Sequence, residues 1–323
     1  MISGKIYWDD IEELYIKLRQ RGTNFILSKV NTNAQKRTTS SFSVDFEHAN
    51  WWIIPALKKR FNYKICGDET IDYERYISEK YFKDKNIYLV SPGCGSGSHE
   101  MALAKYSPGL KILGYDISPS LVQYATHQAM QSNLSSRCLF EAKDFTQVEI
   151  PKDSVDCFLF HSSLHHFFSI EKLLIEKVIP ALKEGGLVVI HEYVGANRLQ
   201  IPDGQLKECN RILLDYIPEN QRIILGTKKI KSHCYRQGLW RMKINDPSEC
   251  ADAESIMPAL HKHLKELHYT PLGGNIAMPV LKHIAHHFVE DNQEILQKIF
   301  DFEDEFLCHN DSDYVFGIFQ KLE

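Results

Sequence analysis

Three glycines at alternate positions, Gly93, Gly95 and Gly97, stand between a short apolar run and a helix-length stretch in LVSPGCGSGSHEMALAKY. Glycine there lets the backbone turn tightly and approach a ligand closely, while N–H groups of the following helix point at its polar atoms. Alone, such a loop is weak evidence. It gains weight from Asp116, with Ile117 beside it, at the end of the next apolar run, because a carboxylate placed there accepts both hydroxyls of a ribose. Asp144 and Phe145 then close a third run and offer a carboxylate for an exocyclic amine and a ring to stack on an adenine. Three run ends in chain order, each with a fitting group, are far more specific than any one of them.

Such residues need a frame that brings the run ends together. Apolar runs at NIYLVS (86–91), LKILGYDI (110–117), SRCLFEAKD (136–144), VDCFLFHSS (155–163) and GLVVIHEY (186–193) alternate with helix-length segments. That alternation predicts an α/β protein with a parallel sheet covered on both faces. Before it lie an amphipathic helix over 10–28, a polar linker at 31–43 and an aromatic-rich helical block at 47–83. After residue 200 the pattern is helical through PDGQLKECNRILLDYI and ESIMPALHKHLKEL, and HYTPLGGNI and DYVFGIFQK read as two further strands. Four segments follow: a cap (1–85), the ligand-binding core (86–200), a helical insertion or lid (201–265), and strands and helices completing the core (266–323).

The 323 residues are 43% hydrophobic and 25% charged, an ordinary globular composition that excludes fibrous and low-complexity classes. With 38 basic and 42 acidic residues the net charge is −4, which disfavours a dedicated nucleic-acid binder or an anionic-membrane binder. Eight scattered cysteines with no CxxC pair suit reduced thiols, and acids near the N-terminus replace the apolar run of a signal peptide. A cytoplasmic location is expected. A homodimer is compatible with the sequence, as is a monomer.

The series LVSPGCGSG, GYDIS, KDF, DCFLFHSSLHH and LKEGGLVVIHEYVG resembles the motifs of class I S-adenosylmethionine-dependent methyltransferases over about 86–195. WWIIPALKKRFNYKICGDETIDYERYISEKY, EYVGANRLQIPDGQL and NDPSECADAESIMPAL resemble a bacterial group linked with glycan or natural-product biosynthesis. The resemblance implies a Rossmann-like, mostly parallel seven-stranded sheet with an N-terminal helical cap and a helical insertion between strands five and six. It implies S-adenosylmethionine as cofactor, with Gly93, Gly95 and Gly97 along its methionine and ribose side, Asp116 on the ribose, Asp144 and Phe145 at the adenine, and His161 beneath the sulfonium. The position two before Gly93 is usually acidic in this superfamily; here it is Ser91, which can still hydrogen-bond.

Methyl transfer from a sulfonium requires alignment of the nucleophile and exclusion of water, and an oxygen nucleophile must also lose a proton. His165, His166 and Glu192 lie at strand ends, where open α/β sheets place their ligands, and histidine has the pKa for the work. His165 is the first choice as base, with Glu192 as orienter or second candidate. Trp52, Tyr193, Arg198 and Gln200 are placed to meet a small-molecule acceptor such as a sugar hydroxyl or secondary metabolite.

Blander readings compete. The glycine loop could be a plain βα turn, either histidine could pack or bond a carbonyl, Trp51 and Trp52 could be core, and Arg198 could form a structural ion pair. His283 and His287 have metal-binding i, i+4 spacing on an expected helix but lack the glutamate between them, and the acidic pattern of catechol-type metal enzymes is missing, so no metal is expected. A cofactor-using enzyme without net methyl transfer, such as a cyclase, and a non-catalytic partner subunit are the alternative functions.

Overall fold

A computed structural model of the chain describes residues 8–21 and 50–322. The helix expected over 10–28 is seen as α1 (Trp8–Arg21); its remainder and the 31–43 linker lie outside the described residues. The aromatic block contains α2 (Pro55–Cys66), opened by a proline at its first position and closed by Gly67 in the left-handed region, φ 82°. It ends in α3 (Tyr73–Ile77), whose first turn is capped by the Asp72 carboxylate on the Arg75 N–H at 2.9 Å.

The βαβ core follows. Strand β1 (Ile87–Pro92), α4 (Ser98–Tyr106), β2 (Leu110–Asp116), α5 (Pro119–Gln131), β3 (Cys138–Ala142) and β4 (Val155–His161) alternate as the apolar runs require. A helical run over 170–181, α6, leads into β5 (Leu182–Tyr193). The insertion carries α7 (Asp203–Tyr216), α8 (Leu239–Asn245) and α9 (Ile256–His263). Then come β6 (Leu264–Gly273), α10 (Ala277–Leu281), α11 (Gln293–Leu307) and β7 (Tyr314–Lys321).

One seven-stranded sheet results, in the order β3-β2-β1-β4-β5-β7-β6, with the first five strands parallel and β7 antiparallel to both neighbours. Phe158, Leu159 and Phe160 of β4 and Val188, Val189 and Ile190 of β5 are all buried, as strands covered on both faces demand. Register sets His161 level with His191, and Ser91 level with Gly114, so the run ends expected to hold a ligand sit on one edge.

Two boundaries differ from the sequence reading. β6 begins at Leu264, inside a stretch whose leucine spacing reads as helix, because pairing with Lys321 and Gln320 outweighs that local preference. The helix expected through His283 and His287 is broken: His283 takes φ 69°, and only Ala285–Phe288 form a tight turn. These histidines do not share a face; His283 bonds the Glu13 carboxylate at 2.9 Å and His287 the Ile223 carbonyl at 3.0 Å.

Helix α1 docks on the insertion by charge. Asp10 accepts from the Gly238 N–H at 2.8 Å and from Arg241 at 3.0 Å. Glu13, 1% exposed, meets Tyr235, His283 and, at 3.2 Å, Lys282. Removing one member of a buried ion pair strands its partners, at a cost of about 3–5 kcal/mol. Glu13→Ala is therefore expected to lower the urea midpoint and speed proteolysis within residues 8–21; unchanged values of both would exclude this carboxylate as the anchor.

Candidate functional site

The glycine loop leaves β1 and bends into α4. Gly97 has φ 71°, and a methyl group there would lie 2.5 Å from the Phe140 ring. Gly95, φ 53°, has open space where a side chain would be. Asp116 holds this bend: one oxygen accepts the Gly95 N–H at 2.9 Å and the other the Ser118 N–H at 2.8 Å. Burial raises the Asp116 carboxyl above its ordinary range, and those two N–H bonds oppose the rise.

A cavity of about 580 Å³ opens beside the loop, a size typical of small-molecule sites. Its wall takes in Gly93, Gly95, Asp116, Ile117, Asp144 and Phe145, which the sequence singled out, together with His161 and His166. Gly97 lies just behind, at the start of α4. Phe145 is buried edge-on to Phe158 and Phe167, and Asp144 caps the turn after β3 through the Thr146 N–H at 2.9 Å. Ser91 is also buried, its hydroxyl donating to Glu100.

The histidines divide. His161 stacks between His99, 3.5 Å away by ring centre, and His191, 4.7 Å away, while its Nδ1 meets the Tyr73 hydroxyl at 2.9 Å. Burial pushes His161 well below the usual imidazole range and takes His191 down to about 3. His165 and Glu192 are not in the cavity wall. They form a buried pair at 2.6 Å, and although burial opposes charge on the ring, the carboxylate raises the His165 pKa overall. His166 does line the cavity; burial and the neighbouring His165 lower its pKa, and Nδ1 meets the Ser248 hydroxyl at 3.0 Å.

The four residues read as acceptor contacts lie elsewhere. Tyr193 donates to the Ala196 carbonyl, Arg198 to the carbonyls of Pro247 and Glu249, and Gln200 to those of Arg198 and Gln237. Trp52 packs edge-on against Phe61 and Tyr314. Sequence reasoning missed His99 and Glu100, although they directly follow the glycine loop. It also missed Pro247 and Ser248, which the insertion brings to the wall from some 80 residues away and which no local pattern marks.

Residues 83–270, more than half of the chain, match the family described as a methyltransferase domain. The chain belongs to that family. A 106-residue stretch of the chain is 35% identical to an S-adenosyl-L-methionine-dependent Diels-Alderase of Talaromyces variabilis, covering 32% of the chain and 35% of that protein. A stretch of 132 residues is 31% identical to an uncharacterised protein of Methanocaldococcus jannaschii, covering 40% of the chain and 33% of that protein. The matched stretches thus span about a third of each relative. A crystal structure of geranyl diphosphate C-methyltransferase from Streptomyces coelicolor A3(2) shares the fold, with a TM-score of 0.52 at 12% identity over 90% of this chain and 99% of that one. That structure holds S-adenosyl-L-homocysteine. Among the described residues no helix is long and apolar enough to cross a membrane.

The depressed histidines make stability pH-dependent. An unfolded histidine takes up its proton near pH 6.5, whereas folded His191 holds out to about 3. Between these values the unfolded state binds the extra proton, so stability falls as pH drops, by about 1.4 kcal/mol per unit for this group. His191→Gln is expected to flatten the slope of unfolding free energy between pH 6.5 and 5; a slope equal to the native one would contradict a buried neutral His191.

Proposed function

We propose that this methyltransferase moves the methyl group of S-adenosylmethionine to a hydroxyl of a small-molecule acceptor, a sugar or secondary metabolite, with His166 taking the proton. The observation that carries this reading is the position of His166 in the cavity wall as a ring whose pKa is lowered, beside the glycine loop and Asp116. A neutral imidazole is ready to accept a proton at neutral pH.

The residues present fit the cofactor. Gly95 leaves room for close approach, Asp116 keeps lone pairs beyond its two N–H bonds for ribose hydroxyls, and Asp144 with Phe145 suits an adenine. When bound, S-adenosylmethionine supplies a methyl group already activated by the sulfonium. Burial holds His161 well below the usual imidazole range, so its ring adds no competing positive charge to that end of the wall. Ser248 orients His166 through Nδ1. Asp246 accepts from the Ser248 hydroxyl at 2.6 Å, and a Glu249 carboxylate oxygen lies 3.8 Å from His166 Nε2, so a proton arriving on the ring is stabilised. His165 and Glu192 act as a positioning pair behind His166. Phe168, 59% exposed at the rim, offers an apolar surface to the body of the acceptor. Residues 201–265 serve as the lid and 1–85 as the cap.

Titration calorimetry with S-adenosylhomocysteine tests the cofactor site: Asp116→Ala is expected to weaken binding by about 1–3 kcal/mol, and unchanged affinity would remove Asp116 from it. For the chemical step, methyl-labelled cofactor is incubated with a panel of hydroxylated metabolites. His166→Ala is expected to slow transfer about 10²–10⁴-fold with cofactor affinity intact; full activity would reject it as base.

A second reading is favoured by the Diels-Alderase relative: a cyclisation in which the bound cofactor is a scaffold. A cyclase turns over with S-adenosylhomocysteine in place of S-adenosylmethionine, and its product gains no methyl mass. Methyl transfer fails both criteria.

A further inference from the structure

Glu100 is 2% exposed on α4 and forms part of the cavity wall beside the glycine loop. One of its oxygens accepts the Ser91 hydroxyl at 2.5 Å; the other is buried and meets no donor among the described residues. An uncompensated carboxylate oxygen in an interior is destabilising unless a cation or donor reaches it. The other wall acids differ: both Asp116 oxygens accept a backbone N–H and keep only their outer lone pairs, and one Asp144 oxygen accepts the Thr146 N–H and hydroxyl.

Local charge leads to the same vacancy of partner. Glu74 lies 2.5 Å from His99 Nδ1, and this contact holds the His99 pKa up against the desolvation that would lower it. His99 and Glu100 both line the cavity, and the Glu74 oxygen that meets His99 Nδ1 is spent on that contact, which leaves Glu100 as the carboxylate at this edge. Burial raises the Glu100 carboxyl, while the Ser91 hydrogen bond and the charge of His99 act to keep it ionised. Ser91 is too short to reach a ligand as a carboxylate would, but from the end of β1 it fixes the orientation of Glu100 across the gap.

We infer that Glu100, braced by Ser91, is the receptor for a primary ammonium group, that of the amino-acid end of S-adenosylmethionine. The inference rests on the cofactor reading above and adds to it the residue that replaces a strand-end acid. A helix-borne glutamate supplies the negative charge from the opposite wall of the loop, so Ser91 has become a positioning residue. Three N–H donors on an ammonium match an acceptor oxygen that no group of the described residues satisfies.

The test is calorimetric and independent of turnover. S-adenosylhomocysteine is compared with its des-amino analogue, which keeps the adenosine, the thioether and the carboxylate. Glu100→Gln is expected to weaken S-adenosylhomocysteine about 10–100-fold, as for loss of a charge-assisted hydrogen bond, and to leave the analogue unchanged. Ser91→Ala, a milder change should the first variant not fold, is expected to weaken S-adenosylhomocysteine to a smaller extent and again spare the analogue. Equal weakening of both ligands would make Glu100 a support of the loop and overturn the proposal, as would an unchanged affinity for S-adenosylhomocysteine. Failure of the native protein to bind either ligand would overturn the cofactor reading itself.

Discussion

Glu192 is entirely buried at the end of β5, and its two oxygens hold the N–H groups of Ser163 and Leu164 and the ring of His165. This carboxylate ties the loop after β4 to the neighbouring strand. Ser163 in turn packs so closely on the glycine loop that a methyl group at Gly93 would lie 2.6 Å from its Cβ. The chain of contact runs from β5 through the β4 loop to the bend after β1, and the cavity takes its shape from it. Two backbone donors and the His165 ring replace the hydration this carboxylate loses on burial.

The sheet was legible because its central strands are buried on both faces, so apolar runs such as FLF (158–160) and VVI (188–190) stand out between helix-length segments. The edge was harder. β6 is exposed at Lys265 and Glu266 and carries leucines at helical spacing, and only its pairing with β7 decides the matter. The glycine loop, Asp116 and Asp144 were legible for a related reason: each works through backbone geometry within a few residues of a strand end. Choosing between His165 and His166 was beyond the sequence, since neighbours on one tight turn point in different directions, and the contacts that separate them, Glu192 and Ser248, come from 27 and 82 residues away.

Electrostatics are partitioned by depth. Buried imidazoles at the strand ends, His161 and His191, are held neutral by desolvation, whereas His165 and His99 carry partners that favour charge. Charge is thus kept beside carboxylates and away from the centre of the stack. On the insertion the same logic fastens elements: α1 contributes acids, and residues 233–241 and 282–283 contribute the bases that receive them.

The place of β7 between β5 and β6 has a consequence for biosynthesis. On the ribosome, the five parallel strands are complete once Tyr193 has been added, yet the outer edge of β5 stays unpaired until residues 314–321 emerge. At about 5–20 residues per second, that exposure lasts roughly 6–25 seconds. Unpaired apolar edges recruit other strands. Nascent chains of this protein therefore pass through a window in which that edge is open to wrong partners, and translation pauses within the insertion would lengthen it.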